Sequence, residues 1–296
     1  MVGRLGRTRW APAVSAALRA AATAVRRTDP RRGQRVVAGR AEGYRPFDPE
    51  VIGVDTAAEK AAVAALRRAG VHGTLLSEEA GERRLPRPRT GAAPEPVHVV
   101  MDPFDGSMLY RRGIRAMWYT AIGLWALDGT PRAAGLVDHI TGELALSDGM
   151  EVRRWAHPRA RPDRPQPAAT RDIESAFLEA YLMKPAFLYP TTEALRPLLR
   201  RARFVLPNGG PGGFVDVACG RVDVYLAWRE ALTEVFSTVA VALAAGCVVT
   251  GWDGASLVFR PDINALHTVV CSANPRLHAE VLRVLEGVAP PGGIPA

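Results

Sequence analysis

The stretch HVVMDPFDGSMLY, residues 98–110, carries the reading of this 296-residue chain. Residues 97–101 are an apolar run of strand length, so a buried strand is expected there. Asp102-Pro103 should end it, because proline has no N–H to give a sheet and turns the chain aside. Two carboxylates, Asp102 and Asp105, then flank Pro103-Phe104, and Gly106-Ser107 follow at once. A turn at this proline can bring both carboxylates and the Phe104 carbonyl to one side, as hard oxygen donors of the kind Mg²⁺ takes. Gly106 and Ser107 add backbone N–H groups and a hydroxyl at an expected helix start, an arrangement that favours phosphate. Taken alone, the segment fits either a metal-binding turn or a strand-to-turn cap. Two carboxylates rarely hold a catalytic metal by themselves, so further acids are expected from elsewhere in the chain.

Working outward, residues 118–127, 133–139 and 143–146 read as strands joined by Asp-Gly and Thr-Gly turns. Upstream, residues 4–27 are basic and Ala-rich and read as an amphipathic first helix, with a transit segment as the alternative. Residues 28–40 read as a polar loop. Thr56-Ala-Ala-Glu59 has the form of a capping box, opening a helix that ends near Gly70. A short apolar segment, 71–76, runs into Ser77-Glu78-Glu79. Prolines and arginines cluster over 155–167, the best linker candidate.

The second half alternates. Helices are expected over 192–201, from the Gly-rich turn 208–213 to Gly220, over 234–245 and over 275–285; strands over 202–207, 222–227, 248–250 and 267–272. The segment 173–183 stays ambiguous. Strands clustered early and alternation later give an α/β chain, α+β over residues 1–150 and α/β over 151–296.

Composition narrows the partners. The net charge is +8, yet of 38 basic residues only Lys60 and Lys184 are lysine, and the arginines are scattered. A nucleic-acid module would show a basic stripe or a known motif, and neither is present. Scattered arginine suits a phosphorylated small molecule. Cys219, Cys247 and Cys271 match neither a zinc site nor a disulfide framework and fit a reducing cytoplasm. The longest apolar runs, such as 238–250, are too short to span a bilayer.

Val54-Asp55-Thr56, Ser77-Glu78-Glu79 and Asp102-Pro-Phe-Asp-Gly-Ser107 stand in the order and spacing of the inositol monophosphatase family, which this chain resembles over nearly its whole length. Gly220-Arg-Val-Asp-Val-Tyr225, Gly251-Trp-Asp-Gly254 and Ser272-Ala-Asn-Pro-Arg-Leu-His278 look like its later motifs, and the likeness is weakest over 151–203. The resemblance implies a layered αβαβα sugar-phosphatase fold, a homodimer, and a Mg²⁺-dependent phosphomonoesterase acting on a small sugar, cyclitol or related phosphate ester. It further implies that Glu78, Asp102, Asp105, Glu234 and the Phe104 carbonyl hold two or three Mg²⁺ ions. Asp55, Glu78 and Ser107 would be catalytic, Asp55 and Ser107 positioning the attacking water, with Gly106 and Ser107 cradling the phosphate. Asp55 also fits a helix cap.

The chain departs from the family in three places. The family takes its last metal ligand from a Trp-Asp pair opening the long late helix. Trp252-Asp253 looks like that pair but lies beyond the helix, where the family has a separate turn. Aligning on Gly220-Arg-Val-Asp223 and on Ala245-Gly246 puts Thr233-Glu234 there instead, and fructose-1,6-bisphosphatases are similar in using glutamate. Ala227 stands where inositol phosphatases carry a sugar-binding Glu, and Leu109 where an Asn is common. Ala227 and Glu230 are therefore candidates for a rewritten substrate pocket, with Trp228, Arg229, Arg111 and Arg112 near them. Runner-up substrates are fructose 1,6-bisphosphate and 3′-phosphoadenosine nucleotides, and a further alternative is a weakened member kept to bind a phosphate ligand.

Overall fold

A computed structural model describes residues 10–39, 50–88 and 94–288, so residues 4–9 of the expected first helix lie outside the described residues. The chain opens with α1 (Trp10–Arg27), a single turn α2 (Pro30–Gly33), β1 (Val36–Gly39), β2 (Glu50–Ile52) and α3 (Gly53–Arg68). Next come β3 (Gly73–Ser77), β4 (Gly81–Leu85), β5 (Val97–Asp105), α4 (Ser107–Arg111), β6 (Tyr119–Ala126), β7 (Pro131–Asp138), β8 (Leu144–Ser147) and β9 (Val152–Trp155). The remainder is β10 (Phe177–Ala180), α5 (Pro185–Ala194), α6 (Arg196–Leu199), β11 (Phe204–Leu206), α7 (Pro211–Ala218), β12 (Val224–Ala231), α8 (Leu232–Phe236), α9 (Val239–Ala245), β13 (Val248–Gly251), β14 (Leu266–Ser272) and α10 (Pro275–Leu285).

Two sheets organise these elements, one of seven strands in the order β4-β3-β5-β6-β7-β8-β9 and one of five in the order β11-β10-β12-β14-β13. Three apolar clusters cement five layers. The first joins α1 and α3 to the seven-stranded sheet. Alanines on both helices (Ala13, Ala17 and Ala21 against Ala58, Ala62 and Ala65) let the backbones approach closely. The second cluster fills the space between the sheets with α7, α8 and α9, and the third packs α5, α6 and α10 on the outer face of the five-stranded sheet. The result is a layered αβαβα arrangement.

Strand parity in β5 aims the site. Val97, Val99 and Met101 face the α1/α3 layer, while Val100 faces the middle layer, and so by alternation does Asp102. The strand does not stop at Asp102. It continues through Pro103 by a bulge between Asp102 and Asp105, against Ala121 and Tyr119 of β6. The bulge turns Phe104 back into the α1/α3 cluster.

Other expectations shift for identifiable reasons. α3 begins at Gly53, before Thr56, because Asp55 Oδ2 accepts the Ile52 N–H at 2.7 Å and so caps the first turn from inside. Glu59 does not cap; it accepts the Ser77 hydroxyl at 2.7 Å. The supposed loop 28–40 holds α2 and β1, the latter paired with β2. The helix expected over 234–245 is broken between α8 and α9. Trp125 Nε1 donates to the Phe236 carbonyl at 2.8 Å, which removes it from the helical ladder, and the Thr238 hydroxyl donates to the Pro211 carbonyl at 2.8 Å. The strand expected over 222–227 runs on to Ala231, with a bulge between Ala227 and Glu230. Among the described residues no helix is long and apolar enough to cross a membrane.

Candidate active site

Three elements converge where β3 and β5 end. These strands are parallel, with Ser77 opposite Met101, and the Glu78 N–H donates to the Met101 carbonyl at 3.1 Å. Glu78 thus comes abreast of Asp102. The first turn of α8, in the middle layer, brings Glu234 to the same point. Carboxylate oxygens of Glu78, Asp102 and Glu234 lie within 4.8 Å of one another. Glu78 and Asp102 are buried, and Asp102 Oδ1 accepts the Phe104 N–H at 3.1 Å. Three clustered carboxylates, two of them out of water, make a donor set of hard oxygens that fits Mg²⁺. Asp105 stands close by: a methyl group placed on Gly210 would be 3.3 Å from Asp105 Oδ2 and 3.8 Å from Glu234 Oε2. Glycine there keeps the space between these acids open.

Asp55 and Ser107 form a second unit. The Ser107 hydroxyl donates to Asp55 Oδ1 at 2.7 Å and reaches the Phe104 carbonyl at 3.1 Å. Asp55 is fully buried and accepts through both oxygens, one to the α3 cap and one to Ser107. Gly106 precedes α4 with φ of 93°, and any Cβ there would sit 2.1 Å from the Met117 carbonyl oxygen. Only glycine therefore allows this turn to lie against Met117.

A buried histidine holds the bulge from behind. The Thr120 hydroxyl donates to the Pro103 carbonyl at 2.6 Å. Having spent its proton there, it can only accept from His139 Nε2, 2.8 Å away, while the imidazole stacks on Phe104 with centroids 5.3 Å apart. Burial, helped by Arg26, pushes the His139 pKa down to about 3, so the ring is neutral. The folded value lies below the unfolded one near 6.5, so this stabilisation is present above 6.5 and is lost as pH falls toward 3. Melting curves of the wild type and His139→Gln at pH 6.5 and pH 5 check this. The wild type should lose about 2 kcal/mol more than the variant over that interval.

Beyond the carboxylates opens a cavity of about 180 Å³, lined by Asp105, Gly106, Ser107 and Glu234 at one end. Met117, Met183, Phe187 and Leu109 form apolar walls, and Arg229 and Glu230 join them from the bulged end of β12. Of the residues anticipated for the pocket, Glu230 is in place and Ala227 is not. Ala227 is fully buried in the core between the sheets, because the bulge after it sends the chain to the cavity at Arg229-Glu230. Trp228 packs in the outer core, and Arg111 makes a surface ion pair with Glu50. Asp253 is exposed, its carboxylate accepting the Ala255 N–H within a turn, away from the other acids. Sequence reasoning overlooked Met117, Met183 and Phe187, and also buried Asn208, which lines the cavity and donates to buried Glu179 at 2.6 Å. The Gly-rich turn containing Asn208 was a usable signal; the others come from segments without a motif.

A five-layered α/β protein with clustered acids beside a small-molecule cavity is the class that fold and site define. The profile of the inositol monophosphatase family matches residues 9–289, and the chain belongs to that family of phosphatases. Among solved structures it is similar to the inositol monophosphatase of Anabaena (Nostoc), at 20% identity over 96% of this chain and 97% of that one, with a TM-score of 0.70. It is also similar to the extragenic suppressor protein SuhB of Bartonella henselae, at 19% identity over 93% and 97%, with a TM-score of 0.74. The Thermotoga maritima IMPase aligns at 16% identity over 92% and 94%, with a TM-score of 0.69. No curated protein matches the chain in sequence.

Proposed function

We propose that the chain is a Mg²⁺-dependent phosphomonoesterase that hydrolyses a small phosphate ester with water. The observation that carries this reading is the meeting of Glu78, Asp102 and Glu234 within 4.8 Å, beside the cavity that Ser107 lines, in a chain of this family. Glu78, Asp102, Asp105, Glu234 and the Phe104 carbonyl would hold the metal. Bound there, Mg²⁺ would supply charge neutralisation at the phosphoryl group and activate water for attack.

The rest of the work falls to the chain itself. Asp55 accepts a hydrogen bond from the Ser107 hydroxyl, which leaves the lone pairs of the Ser107 oxygen free to accept a hydrogen bond from the attacking water and orient it. The backbone N–H groups at Gly106 and Ser107 face the phosphate. Glu230, buried and 3.3 Å from the Tyr225 hydroxyl, lies where the alcohol part of the ester would bind.

Phosphate release from a panel of monoesters tests this. Release is expected with Mg²⁺ and should vanish with a chelator, returning when Mg²⁺ is restored. Tight binding of phosphate esters with no turnover under any metal condition would overturn it in favour of a ligand-binding member.

A further inference from the structure

Among the described residues only two non-glycine residues adopt left-handed backbone, Met117 with φ of 56° and Arg229 with φ of 51°. Both line the same cavity. Such a conformation disfavours a residue with a side chain, and it persists where surrounding structure enforces it, commonly at ligand sites. At Arg229 the enforcement is visible. The residue lies in the bulge between Ala227 and Glu230, and its N–H donates to the Thr268 hydroxyl at 3.2 Å. Bulges re-aim side chains, and this one brings Arg229 to a cavity whose apolar lining is Met108, Leu109, Met117, Met183 and Phe187 and whose polar lining away from the clustered acids is Tyr181, Lys184, Asn208 and Glu230. The Arg229 Nε is buried and makes no hydrogen bond among the described residues. A planar, permanently charged donor with a buried, unpaired Nε is suited to an anion.

We infer that the cavity selects phosphate monoesters whose alcohol part is largely apolar and carries a second anionic group, a carboxylate or another phosphate, bound by Arg229. The inference rests on the phosphatase reading, since it places the scissile phosphate at Gly106-Ser107. A polyhydroxylated ring fits this wall poorly. Each hydroxyl set against Met or Leu loses its water without gaining a partner, and away from the metal-site acids only Tyr181, Lys184, Asn208, Arg229 and Glu230 bring polar side chains to the cavity.

Binding of non-hydrolysable phosphonates in the presence of Mg²⁺, measured by calorimetry, separates this inference from the question of turnover. Phenylphosphonate is compared with its 3- and 4-carboxylated analogues and with the phosphonate analogue of myo-inositol 1-phosphate. At least one carboxylated probe should bind the wild type roughly ten- to hundred-fold more tightly than phenylphosphonate, the range expected of a charge-assisted hydrogen bond. In Arg229→Met that ratio should collapse to about one, and in Arg229→Lys part of it should remain. Equal binding of the three phenylphosphonates to the wild type overturns the inference, as does a ratio that survives Arg229→Met, or tighter binding of the inositol phosphonate than of phenylphosphonate. Hydrolysis of monoesters with no carboxylate preference overturns the inference and leaves the phosphatase reading standing. Failure of every probe to bind brings down both.

Discussion

Replacing Asp102 with Asn should lower phosphate release by about 10³-fold or more, and it should not unfold the protein. The loss corresponds to about 4 kcal/mol of transition-state stabilisation, the scale of a metal ion acting on phosphoryl charge. The fold should survive because asparagine has the same shape and its Oδ1 can still accept the Phe104 N–H. A second readout separates a metal site from a merely structural acid. Without a cation, the carboxylates of Glu78, Asp102 and Glu234 repel one another in a partly dry pocket. Removing one charge should leave the melting temperature of the metal-free protein unchanged or higher. Adding Mg²⁺ should then stabilise the wild type, by about 2.7 kcal/mol at a hundred times the dissociation constant, and barely affect the variant. An Asp102→Asn protein that keeps both turnover and the Mg²⁺-dependent rise would sink the assignment.

That acid was legible because everything that aims it is local. Residues 97–105 contain the strand, the proline and the bulge, so alternation and chain stiffness place the Asp102 carboxylate without help from afar. Glu234 was harder. It is the carboxylate at the start of an apolar helix, and only its distance from Gly220-Arg-Val-Asp223 and Ala245-Gly246 distinguished it from the Asp253 turn. The break in that helix could not be read locally, since its cause is Trp125 of β6, which donates from the seven-stranded sheet to the Phe236 carbonyl.

The substrate wall shows a different limit. Counting back from Glu234 assumed an unbroken strand and led to Ala227. The bulge adds residues before the cavity, so Arg229 and Glu230 arrive there and Ala227 stays in the core. A bulge of this type depends on cross-strand partners in β14, and a left-handed Arg or Met carries no sequence mark. Strands β4 and β9 escaped because three consecutive exposed residues, Glu82-Arg-Arg84, and the charged pair Arg153-Arg154, exposed and half-buried, break the alternation that announces a strand.

Asp55→Asn should reduce kcat by roughly 10²- to 10³-fold with little change in KM. Asp55 accepts a hydrogen bond from the Ile52 N–H through one oxygen and from the Ser107 hydroxyl through the other. Asparagine has one acceptor oxygen. Its oxygen would keep the helix cap and its NH₂ would turn to Ser107, reversing that bond. The Ser107 oxygen would then be occupied by a donor and its own proton sent to the Phe104 carbonyl, 3.1 Å away, so it could no longer orient water. Ser107→Ala should cost a similar factor in kcat, and about 1 kcal/mol in stability, because buried Asp55 loses one of its hydrogen bonds. Since the two side chains act as one unit, the double variant should be no slower than the worse single one. Ser107→Thr, which keeps the hydroxyl, should retain most of the turnover. Losses that multiply in the double variant would mean that Asp55 serves only as the cap of α3 and that Ser107 orients water without it.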